Sequence, residues 1–196
     1  PALPQSAFVW MATSALIFMI WRGRGKWLAL LPLMISAMIA VNTVQPDILV
    51  SSKGKLIAYT PSGEGRMMSV SSRVRDRFST EVWTQRYGLP PDFKPDVWPK
   101  EGTGASGIIC GEGGCRLEAD GRKVAFSFDP STQGEDCAWA DILIADDPVQ
   151  IQCKTPVIVD FFDLWRDGAH ALWLDGRIET VAAERGKRPW TASPRR

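Results

Sequence analysis

The chain has 196 residues, with 23 Lys and Arg against 22 Asp and Glu, enough for one domain and an appendage. The charge is unevenly spread: residues 1–46 hold only Arg22, Arg24 and Lys26, so the rest has 20 basic against 22 acidic side chains. That slightly acidic balance excludes a uniformly basic surface, the footprint of tight sequence-independent phosphate binding, and leaves room only for local basic patches.

Residues 1–46 read as a transmembrane helical hairpin. No Lys or Arg precedes the first apolar run and no small-residue cleavage site follows it, so a cleaved signal peptide is not expected. The chain, which opens on Pro1, reads instead as the C-terminal part of a longer polypeptide. Residues 7–21 are apolar apart from Thr13 and Ser14, and residues 27–44 apart from Pro32, Ser36, Asn42 and Thr43. The predicted helices cover about residues 5–21 and 27–44, each near the lower limit for crossing a hydrocarbon core of about 30 Å. Residues 22–26 join them as a short basic turn flanked by Trp21 and Trp27, where interfacial aromatics are favoured. The positive-inside rule puts this turn in the cytoplasm and the following domain on the opposite, periplasmic side.

Residues 47–183 read as a β-rich α+β domain. A meander is expected from Ile48-Leu49-Val50, the turn at residues 51–54, the return through Leu56 to Tyr59, a turn at residues 61–63, and Met67 to Val70. Ser71 or Ser72 then caps a predicted helix over residues 73–87, with Val74, Phe78 and Val82 on one face and Trp83 beside them. Arg73, Arg75, Arg77 and Arg86 lie largely on its other faces. They are the best basic candidates for nucleic-acid contact, and the blander reading is a solvated face balanced by Asp76 and Glu81. Gly88 and Pro90-Pro91 end the helix. Residues 89–107 are Pro- and Gly-rich and read as a loop pinned by Trp98.

A hairpin follows, residues 115–118 and 122–128 about the Asp120-Gly121 turn. A helical turn at residues 135–139 leads to Asp141-Ile142-Leu143-Ile144-Ala145, apolar on both faces as a central strand is. Another strand at residues 157–160, a helical turn at 162–166 and a hairpin about Asp175-Gly176 complete the domain. Residues 184–196 read as a basic, flexible tail.

Cys110, Cys115, Cys137 and Cys153 all fall in the extramembrane part. An even number in an exported domain suggests two disulfides. Of three pairings, Cys110–Cys115 with Cys137–Cys153 is favoured, because the first closes residues 111–114 as a tight loop. Free thiols and a zinc site are the alternatives, although zinc ribbons use closer C-x2-C pairs.

No catalytic motif is present: no G-x-S-x-G, no P-loop, no G-x-G-x-x-G after a strand. The glycines of residues 111–114 lack the Lys-Ser/Thr that grips phosphate. The single histidine, His170, cannot supply the several imidazoles of a multinuclear hydrolase and reads as structural or superficial. The acidic clusters, Glu135-Asp136, Asp146-Asp147 and Asp160 with Asp163, match no ligand spacing and read as solvated loops. No cofactor or metal is expected.

The order of features resembles the C-terminal end of alphaproteobacterial ComEC competence proteins, the inner-membrane channels for DNA uptake. The residues that carry the resemblance are Trp21-Arg22-Gly23-Arg24-Gly25-Lys26-Trp27, Pro46-Asp47-Ile48-Leu49-Val50-Ser51 with Gly54-Lys55-Leu56-Ile57-Ala58, and Arg75-Asp76-Arg77-Phe78. They continue through Cys110 and Cys115, Asp120-Gly121-Arg122, Asp136-Cys137-Ala138-Trp139-Ala140-Asp141, the run from Asp160 to Ala171, and Arg188-Pro189-Trp190. The resemblance implies a metallo-β-lactamase-like fold, degenerate and truncated. Val124 to Asp129 resembles the family strand ending in a metal-binding Asp, so Asp129 is implied as a relic ligand. Residues 145–148 stand where a His-His segment follows the next strand, and the His-x-His-x-Asp-His motif is absent. The implied role is a non-catalytic module guiding or gating single-stranded DNA. Its implied partners are the membrane and the upstream channel part of the same polypeptide. A metal-dependent nuclease built on Asp129, Asp146 and Asp147, and a structural cap on the membrane region, are the other two readings.

Overall fold

A computed structural model describes residues 4–61, 67–72 and 76–186. The chain divides into two compact units, one of Pro1–Gln45 with Arg86–Gly88 and one of the remainder.

In the first unit, helix α1 (Gln5–Ile20) and helix α2 (Leu30–Val41) are joined through a 3-10 helix, Gly23–Ala29. Winding thus resumes at Gly23, earlier than expected, and takes in Lys26 and Trp27. The second helix also ends earlier, at Val41. There the side chains of Asn42 and Thr43 donate to the carbonyls of Met38 and Ile39 (both 2.8 Å), competing with continued helix. The two serines that interrupt the apolar runs tie the helices together: Ser14 Oγ donates to Ala29 O and Ser36 Oγ to Ala7 O, both at 2.7 Å. Ala7 and Ala29 are buried at these contacts, because small residues let helix backbones approach closely. Phe8, Leu16, Phe18, Leu31 and Met34 are exposed. The 19-residue helical run Gly23–Val41 is long and apolar enough to cross a membrane. Helix α1, with 16 residues, is shorter, about 24 Å at 1.5 Å per residue.

The second unit is a mixed α+β domain of two six-stranded sheets. Its strands are β1 (Ile48–Val50), β2 (Ile57–Tyr59), β3 (Ser69–Val70), β4 (Asp96–Val97), β5 (Gly102–Thr103) and β6 (Ile109–Gly111). They continue with β7 (Gly114–Ala119), β8 (Arg122–Ser127), β9 (Ile142–Ala145), β10 (Val157–Val159), β11 (His170–Leu172) and β12 (Ile178–Thr180). The first sheet has the order β12-β11-β1-β2-β3-β4 and the second β10-β9-β8-β7-β6-β5. The predicted meander is β1 to β3, antiparallel throughout, with Ile48 opposite Tyr59. The Asp120-Gly121 turn joins β7 to β8, Ala119 opposite Arg122. Both turn residues have positive φ, 50° and 71°, the geometry that matches strand twist in a two-residue hairpin. Strand β9 lies between β8 and β10, parallel to both, as its two-sided apolar sequence requires.

The inner faces of the two sheets share one core. Ile48, Val50, Ile57 and Tyr59 of the first cluster with Leu117, Val124, Phe126, Ile142 and Ile144 of the second. Trp98 joins them, its ring centroid 4.7 Å from that of Phe126 and its Nε1 donating to Ser69 Oγ at 3.1 Å. The other face of the second sheet buries Ala125 and Leu143 against Cys137 and Ala140, at helix α4 (Gln133–Trp139).

Three expectations change. Residues 89–107 are not wholly loop: β4 pairs parallel with β3, and β5 pairs antiparallel with β6. Both strands are two residues long and exposed, so no alternation marks them. The predicted helix 73–87 is α3 (Arg77–Arg86), and its residues 73–75 lie outside the described ones. Asp76, not Ser71 or Ser72, stands at its start and accepts from Ser79 N (3.1 Å), while Ser71 Oγ accepts from Ile57 N across the sheet. The helix buries no residue, and Phe78 and Val82 are exposed. Finally, Glu184 and Arg185 of the predicted tail belong to helix α6 (Val181–Arg185), capped by Thr180 Oγ1 accepting from Ala183 N. Residues 187–196 lie outside the described ones.

Burial, and then the negative charges of Asp47 and Asp120, push the Tyr59 phenol above its ordinary value of 10.0. The folded chain thus holds this group neutral. The stability gained is complete below the ordinary value and is lost as pH rises through the raised one. The sequence has two tyrosines. In an absorbance titration, the tyrosinate signal that Tyr59→Phe removes is expected to have its midpoint above pH 10. A midpoint at or below 10 contradicts the burial argument.

Candidate functional site

The four cysteines form two disulfides, Cys110–Cys115 and Cys137–Cys153, the favoured pairing. The first links β6 to β7 at directly opposed positions. The second ties α4 to the segment before β10, where Thr155 Oγ1 donates to Cys137 O (3.1 Å). Gly113 and Gly114, between the first pair, serve packing. A Cβ on Gly114 would lie 2.4 Å from Phe126 O, so only glycine fits beside β8.

Each predicted acidic candidate has a local partner or an exposed position. Asp129 follows β8 at the surface, and its Oδ1 accepts from Ser131 N (2.8 Å). That backbone bond holds its carboxyl below the ordinary value of 3.8. Asp146, half-buried, follows β9, its amide bonded to Ser127 O, and Asp147 beside it is exposed. Asp160 caps helix α5 (Phe161–Asp167) in a reciprocal capping box with Asp163. Glu135 and buried Asp136 take the guanidinium of Arg116, whose Nε donates to Asp136 at 2.9 Å. His170 is buried in β11 with Nδ1 2.8 Å from Gly168 O. Among the described residues, no three His, Cys, Asp or Glu side chains stand together as metal ligands.

The predicted arginines do not converge on one patch among the described residues. Arg73 and Arg75 lie outside them. Arg77 pairs with Glu81 one turn on (3.7 Å), and Arg86 is at the other end of α3, roughly 13 Å along the axis.

A cleft that sequence reasoning missed lies between the β1–β2 turn and α5. The turn is built locally: Gly54 N donates to Ser51 O (2.9 Å), and Leu56 N to Ser51 Oγ (3.1 Å). Gly54 has φ 71°, and a Cβ there would meet Asp146 Oδ1 at 2.7 Å and Leu164 Cδ1 at 3.3 Å, so the turn is seated directly on its neighbours. Ser52, Lys53 and Lys55 face Phe161, Leu164 and Trp165 across a volume of ≈ 270 Å³. Leu164 is buried and anchors the helix, which leaves Phe161 45 % and Trp165 58 % exposed. The two rings project together because positions four apart share a helix face. Lys53 and Lys55 form no ion pair among the described residues. The carboxylates of α5 itself are held by Arg166, which contacts Asp163 at 2.5 Å and Asp167 at 3.1 Å. The Phe161-Phe162…Trp165 spacing was the available signal. Its lysine partners come from more than a hundred residues earlier, so sequence could not join them.

No family model matches this chain, and no curated protein or solved structure gives a significant match.

Proposed function

We propose that the chain is the C-terminal part of a ComEC-type DNA-uptake channel in the bacterial inner membrane. Both helices of its hairpin cross the bilayer and complete the channel's membrane region. The attached domain is a metallo-β-lactamase-like sandwich without the family's metal ligands, and it guides or gates single-stranded DNA on the periplasmic side without catalysis. One observation carries the reading: an apolar hairpin with a basic turn leads directly into a domain whose four cysteines are all in disulfides. Disulfides persist in oxidising compartments, and the basic turn favours the cytoplasm, so the two features agree on opposite sides of one membrane. The two-sheet core and the position of Asp129 after β8 support the fold assignment.

The test is binding of fluorescent oligothymidylate to the full chain in nanodiscs, followed by anisotropy at rising salt. Binding that weakens as salt is added is expected. Absence of binding at low salt rejects the guiding role. Cleavage of the oligonucleotide in magnesium or manganese, abolished by Asp129→Asn, would replace it with the nuclease reading.

A further inference from the structure

We infer that the cleft between the β1–β2 turn and α5 is where the strand binds, with bases stacking on Trp165 and Phe161 and the flanking phosphates meeting Lys53 and Lys55. This rests on the function proposed above and gives it a place on the molecule.

The chemistry of the cleft selects the ligand. Every base has a π-face, so exposed aromatic rings bind single strands irrespective of sequence, and cations beside them track the backbone. The cleft supplies both. Its two rings are among the exposed aromatics of the extramembrane domain, although α5 has a buried leucine to anchor it. Stacking two rings on bases would cover the apolar surface that the fold leaves in water. Among the described residues the two lysines have no ion-pair partner, whereas the guanidinium groups of Arg77, Arg116, Arg166 and Arg177 are each held by a carboxylate of the domain. An approaching phosphate therefore meets Lys53 and Lys55 without breaking an existing ion pair. Of the negative charge nearby, Asp163 and Asp167 are committed to Arg166 and Asp160 to the amides of Phe162 and Asp163, while half-buried Asp146 lies against Gly54. The site is also concave, which suits a threaded strand better than a flat bilayer surface.

The full chain in nanodiscs of zwitterionic lipid is titrated with fluorescent oligothymidylate at several salt concentrations. Lys53→Ala with Lys55→Ala should lower the slope of log affinity against log salt by about 1.4, roughly 0.7 for each phosphate left without its lysine. Phe161→Ala with Trp165→Ala should weaken binding at least about fivefold, and Trp165→Phe should retain most of it. The lysines are exposed, so their removal tests the site even if the aromatic pair perturbs folding. Lys94→Ala with Lys100→Ala, exposed on another part of the same domain, is the control. An equal change of slope in the control overturns the inference. If wild type binds and the cleft variants bind equally well, the inference fails and the proposed function stands. If wild type does not bind, the proposed function fails and the inference with it. Dibrominated lipid that quenches emission absent from Trp165→Phe would put the rings on the bilayer instead, and would also overturn it.

Discussion

Replacing Phe126 by alanine is expected to destabilise the two-sheet domain by about 3–5 kcal/mol, the range for removing a fully buried aromatic side chain. Phe126 lies on β8 in the interior of the second sheet, 0 % exposed, and its ring meets Trp98. Its neighbours come from both sheets, so no single element can shift to fill the space, and the weakened packing is felt across the sandwich. Two residues on, Phe128 lies just past the end of β8 and is 38 % exposed. Phe128→Ala should cost less than about 1 kcal/mol, as surface changes do. Urea unfolding of the full chain in detergent, followed by far-ultraviolet circular dichroism, compares the two. Equal destabilisation would mean that the sheets do not share a core.

The second large effect concerns the disulfides. Cys137→Ala with Cys153→Ala opens a loop whose ends are 16 residues apart. Chain entropy then gives a destabilisation of about 3 kcal/mol. The Cys110–Cys115 bridge spans 5 residues across adjacent strands already in register. Its removal should cost less, about 2 kcal/mol on the same entropy scale. The ordering is the prediction: denaturation midpoints of the two double variants, measured in parallel, should fall further for the 137–153 pair. The reverse order would mean that the short bridge holds the β6–β7 pairing itself rather than merely restricting the unfolded chain.

Much of the architecture was legible because the deciding information was local. The Asp120-Gly121 dipeptide between alternating residues fixed the β7–β8 hairpin and its register. The unbroken apolar run from Ile142 announced an internal strand, and it lies between two parallel neighbours. The favoured cysteine pairing, chosen over free thiols and a zinc site, is the one formed, and its short loop was visible locally. What sequence could not show depends on distant partners. Strands β4 and β5 exist because neighbouring backbones offer hydrogen bonds, as from Asp96 N to Met68 O, and their exposed side chains carry no periodic pattern. The face of α3 misled in another way. Phe78 and Val82 have helical spacing, but spacing says only that residues share a face, not that the face is covered. At the candidate site, the acidic groups were visible but their duties were not: capping α5 or holding Arg116 are contacts that appear only once the elements are placed.

The order of the first sheet has a consequence for synthesis. Strand β1, the first to leave the hairpin, pairs on one side with β2 and on the other with β11, and Leu174 N donates to the buried Asp47 carboxylate across 127 residues. Until translation has passed Leu174, β1 has an open edge and Asp47 lacks that donor. The sheet therefore cannot close while the ribosome is still making the middle of the domain. A nascent chain must wait over that interval with apolar strands unpaired, a state prone to pairing with other chains. The last strands to be made, β11 and β12, thus complete the sheet that the first strand begins.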